Sequence, residues 1–348
     1  MNCQQSLFIW GVAGLFTVSA GAQSDKPLTI KSQGSFFVGG ETRTTNPPNQ
    51  PPQDVTVNQM YVQYQEPMNG ARHVPVVMVH GCCLSSKTWE TTPDGRMGWN
   101  EYFLRKDRPV YMADQVSRAR SGFDATIINE VKAGTAKPSQ LPNVLMASHQ
   151  TAWAVFRFGP EFGKAFDDEQ FPVKAADELY KQMIPDFNSV LPMPNPTWKD
   201  MAALAVQLHG AILMGHSESG FFPEEAAMID PSGVKGIISI EMGCTTNLKP
   251  DQISKLSKIP VLVMFGDHLD GVKGRFGSVW PENLKTCATF VKQVKDAGGN
   301  AELMELPKLG IHGNSHMLMQ DKNNLQLADL ILNWIDQNVE GKKVSARR

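Results

Sequence analysis

The sequence predicts an α/β fold, a mostly parallel central sheet with helices on both faces, and three observations carry that expectation. Short apolar runs that read as buried strands alternate along the chain with helical patterns. One such run, Ala211-Ile212-Leu213-Met214, passes through Gly215-His216-Ser217-Glu218-Ser219-Gly220 into Phe221 to Met228, which can continue as a helix. A third feature is an interval of about ninety residues between the strands at Tyr111 and Leu208. A crossover between parallel strands needs roughly a third of that length, so extra chain is inserted there.

Composition narrows the class. A chain of 348 residues makes one large α/β domain or two ordinary ones. Its 41% hydrophobic and 20% charged residues suit a globular protein with a substantial core. The formal net charge of −2 favours neither nucleic acid nor an acidic membrane surface as partner. Leu7 to Val18 is apolar and uncharged, and Ala20-Gly21-Ala22 supplies small residues for cleavage. That pattern predicts a signal peptide over 1–22 and a mature domain over 23–348, secreted or periplasmic, and the apolar stretch is too short to favour a membrane span. Cys3 leaves with the signal, so Cys82, Cys83, Cys244 and Cys287 are left. An even number in an oxidising compartment reads as two disulfides, for which four cysteines allow three pairings. No CxxC pair or His/Cys spacing indicates zinc, and no metal or organic cofactor is expected.

The elements follow in order. Leu28-Thr29-Ile30 toward Phe36-Phe37-Val38, and Val55 through Tyr64, read as edge strands or a hairpin around a loop holding Pro47, Pro48, Pro51 and Pro52. Val74 to Val79 is continuously apolar, the mark of a strand buried on both faces, and ends in His80-Gly81-Cys82-Cys83. Further strands are expected at Pro109 to Met112, Leu208 to Met214, Gly236 to Ile240, Pro260 to Phe265 and Ala301 to Leu306. Helical patterns occupy Leu284 to Asp296 and Leu325 to Trp334. The inserted interval, at about 123–200, is rich in aromatics and proline and is read as a cap over the C-terminal edge of the sheet, with a helix at about Val173 to Met183.

Strand, sharp turn bearing a serine, then helix: this is the geometry of a nucleophile elbow. Such a turn lifts the Ser217 hydroxyl above the sheet edge and leaves backbone N–H groups at a helix start. The usual pattern is G-x-S-x-G; here Ser219 takes the place of the final glycine and Gly220 follows. Serine needs a base, and the base needs an acid to orient it, in the chain order Ser, Asp or Glu, His. The base is expected at His316, directly before the last helix, with His312 as the rival. For the acid the residues leave two places open: Glu241 after the strand Ile237 to Ile240, or Asp267 and Asp270 after Phe265. A carboxylate emerging from buried strands costs several kcal/mol unless paired, and a histidine would pair Glu241. One oxyanion N–H is expected from the loop after His80-Gly81, at Cys82, and the other from Glu218.

Val79-His80-Gly81, Asp114 with Arg120-Ser121-Gly122, Gly215-His216-Ser217 and His316 together resemble the α/β-hydrolase superfamily from about Val55 onward. More narrowly, His80-Gly81-Cys82-Cys83, Ser239-Ile240-Glu241-Met242-Gly243-Cys244 and Gly313-Asn314-Ser315-His316-Met317 resemble the secreted bacterial esterases typified by esterase 713. That resemblance implies an α/β-hydrolase fold, a Ser217–Glu241–His316 triad and a disulfide between Cys82 and Cys83. Adjacent Cα atoms lie about 3.8 Å apart, less than ordinary disulfides span, so such a bond would close a strained ring and stiffen the oxyanion loop. Cys244 would then pair with Cys287. The implied activity is carboxylic-ester hydrolysis through an acyl-enzyme, on a small-molecule ester, with no nucleic acid partner and no membrane after signal removal; a homodimer is left open. A lactonase or amidase could use the same triad. A non-catalytic binding protein on this fold would be marked by a lost triad member or a blocked elbow, toward which Ser219 is the one hint.

Overall fold

Strand β3 (Val76–Val79) has no exposed residue and lies near the middle of the sheet. Val76 and Met78 enter one apolar layer and Val77 and Val79 the other, which is why the run shows no polar alternation. Around it lie β1 (Ile30–Thr45), β2 (Gln53–Pro67), β4 (Val110–Asp114), β5 (Ala211–His216), β6 (Val234–Ile240), β7 (Val261–Phe265) and β8 (Ala301–Glu305). The computed structural model describes residues 26–341 apart from 48, 188–190 and 273–276. The expected signal peptide and Cys3 fall outside the described residues.

Among the described residues the sheet has eight strands in the order β1-β2-β4-β3-β5-β6-β7-β8. β1 and β2 form an antiparallel hairpin, β2 pairs antiparallel with β4, and every other neighbour is parallel. The helices are α1 (Trp99–Arg105), α2 (Thr126–Lys132), α3 (His149–Val155), α4 (Ala176–Tyr180), α5 (Pro196–Gln207), α6 (Phe222–Ile229), α7 (Pro250–Leu256), α8 (Val279–Asp296) and α9 (Asn324–Asn338). Residues of α5, α6 and α8 cover one face of the sheet. Those of α1 and α9 cover the other, together with Trp153, Phe156, Phe158, Phe171, Leu179 and Met183 of the inserted segment. Full burial of each large apolar side chain contributes about 1.5–3 kcal/mol, so the insertion is part of the core and not an appendage.

Two boundaries differ from expectation for local reasons. Leu208 does not begin β5; it closes α5, and the reversal into the strand uses His209 at φ +56° and Gly210 at φ +127°. The helix expected over Val173 to Met183 is a 3-10 turn, Val173–Ala175, followed by α4 alone. The chain leaves the helix because Ile184 N–H bonds the Cys83 carbonyl at 2.9 Å, a tertiary contact that a continuing helix would forbid.

The expected Cys244–Cys287 bridge is present, tying the loop after β6 to α8 across 43 residues of chain. Loop-closure entropy makes such a bridge worth roughly 4 kcal/mol. Urea unfolding of the Cys244→Ala/Cys287→Ala double variant should show a loss of that order, and an unchanged midpoint would mean the bridge adds nothing to stability.

Candidate active site

The parallel register sets the site. Ser217 follows β5 and Glu241 follows β6, and these strands pair with His216 beside Ile240, so both side chains emerge at one sheet edge. Ser217 has φ +56°, a left-handed conformation that costs a non-glycine residue on the order of 1–3 kcal/mol. Its surroundings hold it there. Gly220 N–H bonds the Ser217 carbonyl at 2.7 Å. Ser219 Oγ donates to the Val79 carbonyl (2.9 Å) and accepts the His216 N–H (3.0 Å), stitching the elbow to β3. The departure from G-x-S-x-G is therefore a fully buried, hydrogen-bonded serine. The need for glycine has moved one place on: a Cβ on Gly220 would lie 2.5 Å from Met242 Cβ.

Four donors converge on the Glu241 carboxylate, which is wholly buried. Oε1 accepts the Gly266 N–H and Arg157 Nη2 (2.8 Å); Oε2 accepts Arg157 Nη1 (2.7 Å) and faces His316 Nδ1 at 3.2 Å. Burial opposes ionisation, but the Arg157 charge and the His316 and Arg157 hydrogen bonds override it and pull the Glu241 pKa down to about 2. His316, also fully buried, is pushed below the ordinary histidine value by burial, against the pull of Glu241 and with the push of Arg157. Phe156 anchors it twice, through a carbonyl that accepts the His316 N–H at 2.9 Å and a ring stacked 5.5 Å away. Trp280 lies 4.5 Å from the imidazole on another side. His316 Nε2 makes no hydrogen bond, so the Ser217–His316 bond is not closed in this state, as is common before substrate binds.

Asp267, the rival acid, faces elsewhere. Its carboxylate accepts the His268 N–H (2.7 Å), the Gly313 N–H (3.1 Å) and His312 Nδ1 (3.2 Å). His312 is thus a loop histidine on Asp267, and Asp270 is exposed.

The oxyanion loop after β3 is organised differently from expectation. Cys82 and Cys83 place their sulfurs 2.7 Å apart without an S–S bond joining them, where the sequence predicts a disulfide. Hydrogen bonding to Cys83 and burial push the Cys82 thiol up, so it is no thiolate nucleophile. An ion network ties this loop down. The Asp186 carboxylate accepts the Cys83 N–H (3.1 Å) and pairs with the buried Arg118, which also reaches Glu218 Oε2 at 3.1 Å. One guanidinium therefore links the loop carrying Cys82 to the residue after Ser217. His80, buried and pushed to a pKa of about 4 chiefly by burial, is neutral; it donates to the Gly81 carbonyl (2.8 Å) and accepts the Gln115 N–H (3.1 Å).

Sequence reasoning missed Arg157, Arg118 and Asp186. Arg157 had a signal: a lone guanidinium between Phe156 and Phe158 in an apolar run must find a buried carboxylate. Arg118 and Asp186, far apart in the chain and in loops, had none.

A serine raised on a left-handed turn between a central parallel strand and its helix, with a histidine ahead of the last helix, defines a hydrolase of the α/β class. The comparisons are more specific. No family model matches the chain. It is 49% identical to a bacterial esterase solved at atomic resolution, with a TM-score of 0.84 over 90% of this chain and 98% of that one. It is 25% identical over 321 residues to the probable secreted lipase phiG of a fungal species (strain ATCC 74256), covering 80% of this chain and 86% of that protein. The chain belongs to the α/β-hydrolase superfamily, in the family of that bacterial esterase, and is a carboxylic ester hydrolase.

Gly81 supplies a test of the site's geometry. A Cβ there would meet Ser217 Cβ at 2.5 Å and Oγ at 3.1 Å. Gly81→Ala should lower kcat/KM on the order of a hundredfold by displacing the serine, and wild-type kinetics would show that the two backbones are not fixed against each other.

Proposed function

We propose that this chain is an exported serine esterase in which Ser217 is the nucleophile, His316 the general base and acid, and Glu241 the group that orients it. The observation that carries the reading is the Glu241 contact with His316 Nδ1, which leaves Nε2 as the ring nitrogen available to the hydroxyl on the neighbouring strand end.

The mechanism follows from these positions. His316 Nε2 takes the Ser217 proton as Oγ attacks the ester carbonyl, and the backbone N–H groups of Cys82 and Glu218 hold the oxyanion. Each such donor is worth about 3–4 kcal/mol when held in place beforehand. The imidazolium then protonates the departing alcohol, leaving an acyl-Ser217. Water, activated by the same nitrogen, releases the acid. Glu241 keeps the Nδ1–H tautomer throughout and does not itself take the proton. The segment at about 123–200 acts as a cap, and Phe156 and Arg157 make it part of the machinery. Export rests on the apolar leader and on the fungal relative named a secreted lipase; among the described residues no helix is long and apolar enough to cross a membrane.

Hydrolysis of a short-chain chromogenic ester tests the assignment. Ser217→Ala and Glu241→Gln should each lower kcat roughly 10³-fold or more, while Asp267→Asn should cost about tenfold or less because its carboxylate only shapes the loop at Gly313. The reverse order for Glu241 and Asp267 would overturn the acid's identity. The base must be neutral to act, and burial holds the His316 pKa below the ordinary histidine value. The acid limb of kcat/KM should accordingly be centred below the ordinary histidine value of about 6.5; a limb centred above it would contradict a buried, neutral His316.

A further inference from the structure

One carboxylate oxygen is shared by two claimants. Glu241 Oε2 accepts Arg157 Nη1–H at 2.7 Å and faces His316 Nδ1 at 3.2 Å. We propose that Arg157 is a positioning residue for ester hydrolysis: its fork fixes Glu241 against His316, and its permanent charge keeps His316 a neutral base into acid conditions. The inference rests on the Ser217–His316–Glu241 reading.

The guanidinium is held on every side. Two parallel bonds clamp both Glu241 oxygens, Nε donates to the Asp267 carbonyl at 2.9 Å, and the plane lies 5.0 Å over the Trp280 ring, which itself borders His316. No part of the Arg157 side chain is exposed. The preceding residue, Phe156, holds the His316 backbone and ring. One dipeptide of the inserted segment thus fixes both the orienting carboxylate and the base.

Charge counting gives the functional consequence. An ordinary buried carboxylate–histidine pair carries net −1 at rest and becomes neutral when the imidazole takes the serine proton. Here Arg157 brings the resting trio to zero and the protonated trio to +1, so proton uptake is less favoured. Such an arrangement suits a base that must stay unprotonated in acid surroundings, while bidentate geometry keeps the carboxylate from rotating away. Other titratable groups face this trio. His216 on β5 lies 4.7 Å from the His316 ring and is kept neutral by burial and the nearby His316. Asp321, ahead of α9, is pushed up to about 7 by burial, and Glu169 of the insertion to about 9 for the same reason. Neither His216 nor Asp321 is hydrogen-bonded to Arg157, and Glu169, which the Arg157 charge pulls down, only rises further without it and stays protonated across the acid limb, so a difference between wild type and variant reports the guanidinium.

The test is the pH profile of kcat and kcat/KM on a short-chain ester for wild type, Arg157→Gln and Arg157→Lys, with thermal unfolding midpoints alongside. In Arg157→Gln the cation is gone, the Glu241–His316 pair takes up its first proton more readily, and the acid limb should move up by about one pH unit. Arg157→Lys keeps the charge but loses the fork: the limb should stay in place while kcat falls about tenfold with KM little changed. A purely structural arginine would lower the midpoints and leave both readouts at wild-type values, and that result overturns the proposal. Should Arg157→Gln fail to fold, the kcat of Arg157→Lys decides alone, a wild-type value again overturning it. Glu241→Gln separates the two levels of inference. If that variant stays active, the triad reading fails and takes this one with it; if it is inactive while the Arg157 variants match wild type, only the role of Arg157 falls.

Discussion

The site depends on keeping one carboxylate ionised away from the protein surface. Glu241 is fully buried, and an unpaired charge there would cost several kcal/mol, enough to leave it protonated and useless for orienting an imidazole. Its ionisation is secured by groups from three other parts of the chain: Gly266 after β7, Arg157 from the insertion and His316 ahead of α9. Because each partner comes from a different segment, the carboxylate is a meeting point for the sheet edge, the insertion and the last loop. Removing Arg157, the opposite charge among them, would leave a buried charge uncompensated, which typically costs about 3–5 kcal/mol.

The same logic governs the loop after β3. Arg118 is fully buried and faces two carboxylates, Asp186 from the insertion and Glu218 from the elbow. Asp186 in turn receives the Cys83 N–H. Both halves of the site are therefore wired to the inserted segment by one buried arginine apiece. A cap that only covered a pocket would not need to supply Arg157 and Asp186 to the groups beneath it.

Legibility in the sequence followed the length scale of each interaction. Parallel strands buried on two faces leave uninterrupted apolar runs, so β3, β6 and β7 could be read to within about two residues at their starts, and their order along the chain carried the fold. The elbow was legible because strand, turn and helix are contiguous; even its odd feature, Ser219, resolves into hydrogen bonds within that same turn and to the neighbouring β3. Position alone narrowed the carboxylate near the late histidine to Glu241, Asp267 or Asp270. Which one meets His316 depends on how each side chain turns after its strand, and Gly266 and Arg157 hold Glu241 there from a distance. The adjacent cysteines were the local feature of the loop after β3, whereas its ties to Asp186 and Arg118 involve residues whose spacing from Cys83 holds no local pattern.

The most direct measurement of the central assignment is peptide mass mapping after treatment of the protein with an activated phosphonate ester, which phosphonylates a serine only where a base draws off its proton and donors hold the oxyanion. The expected result is a single adduct on the peptide containing Ser217, formed rapidly in wild type and lost in His316→Ala. An adduct on another residue, or labelling of Ser217 at an undiminished rate without His316, would contradict it.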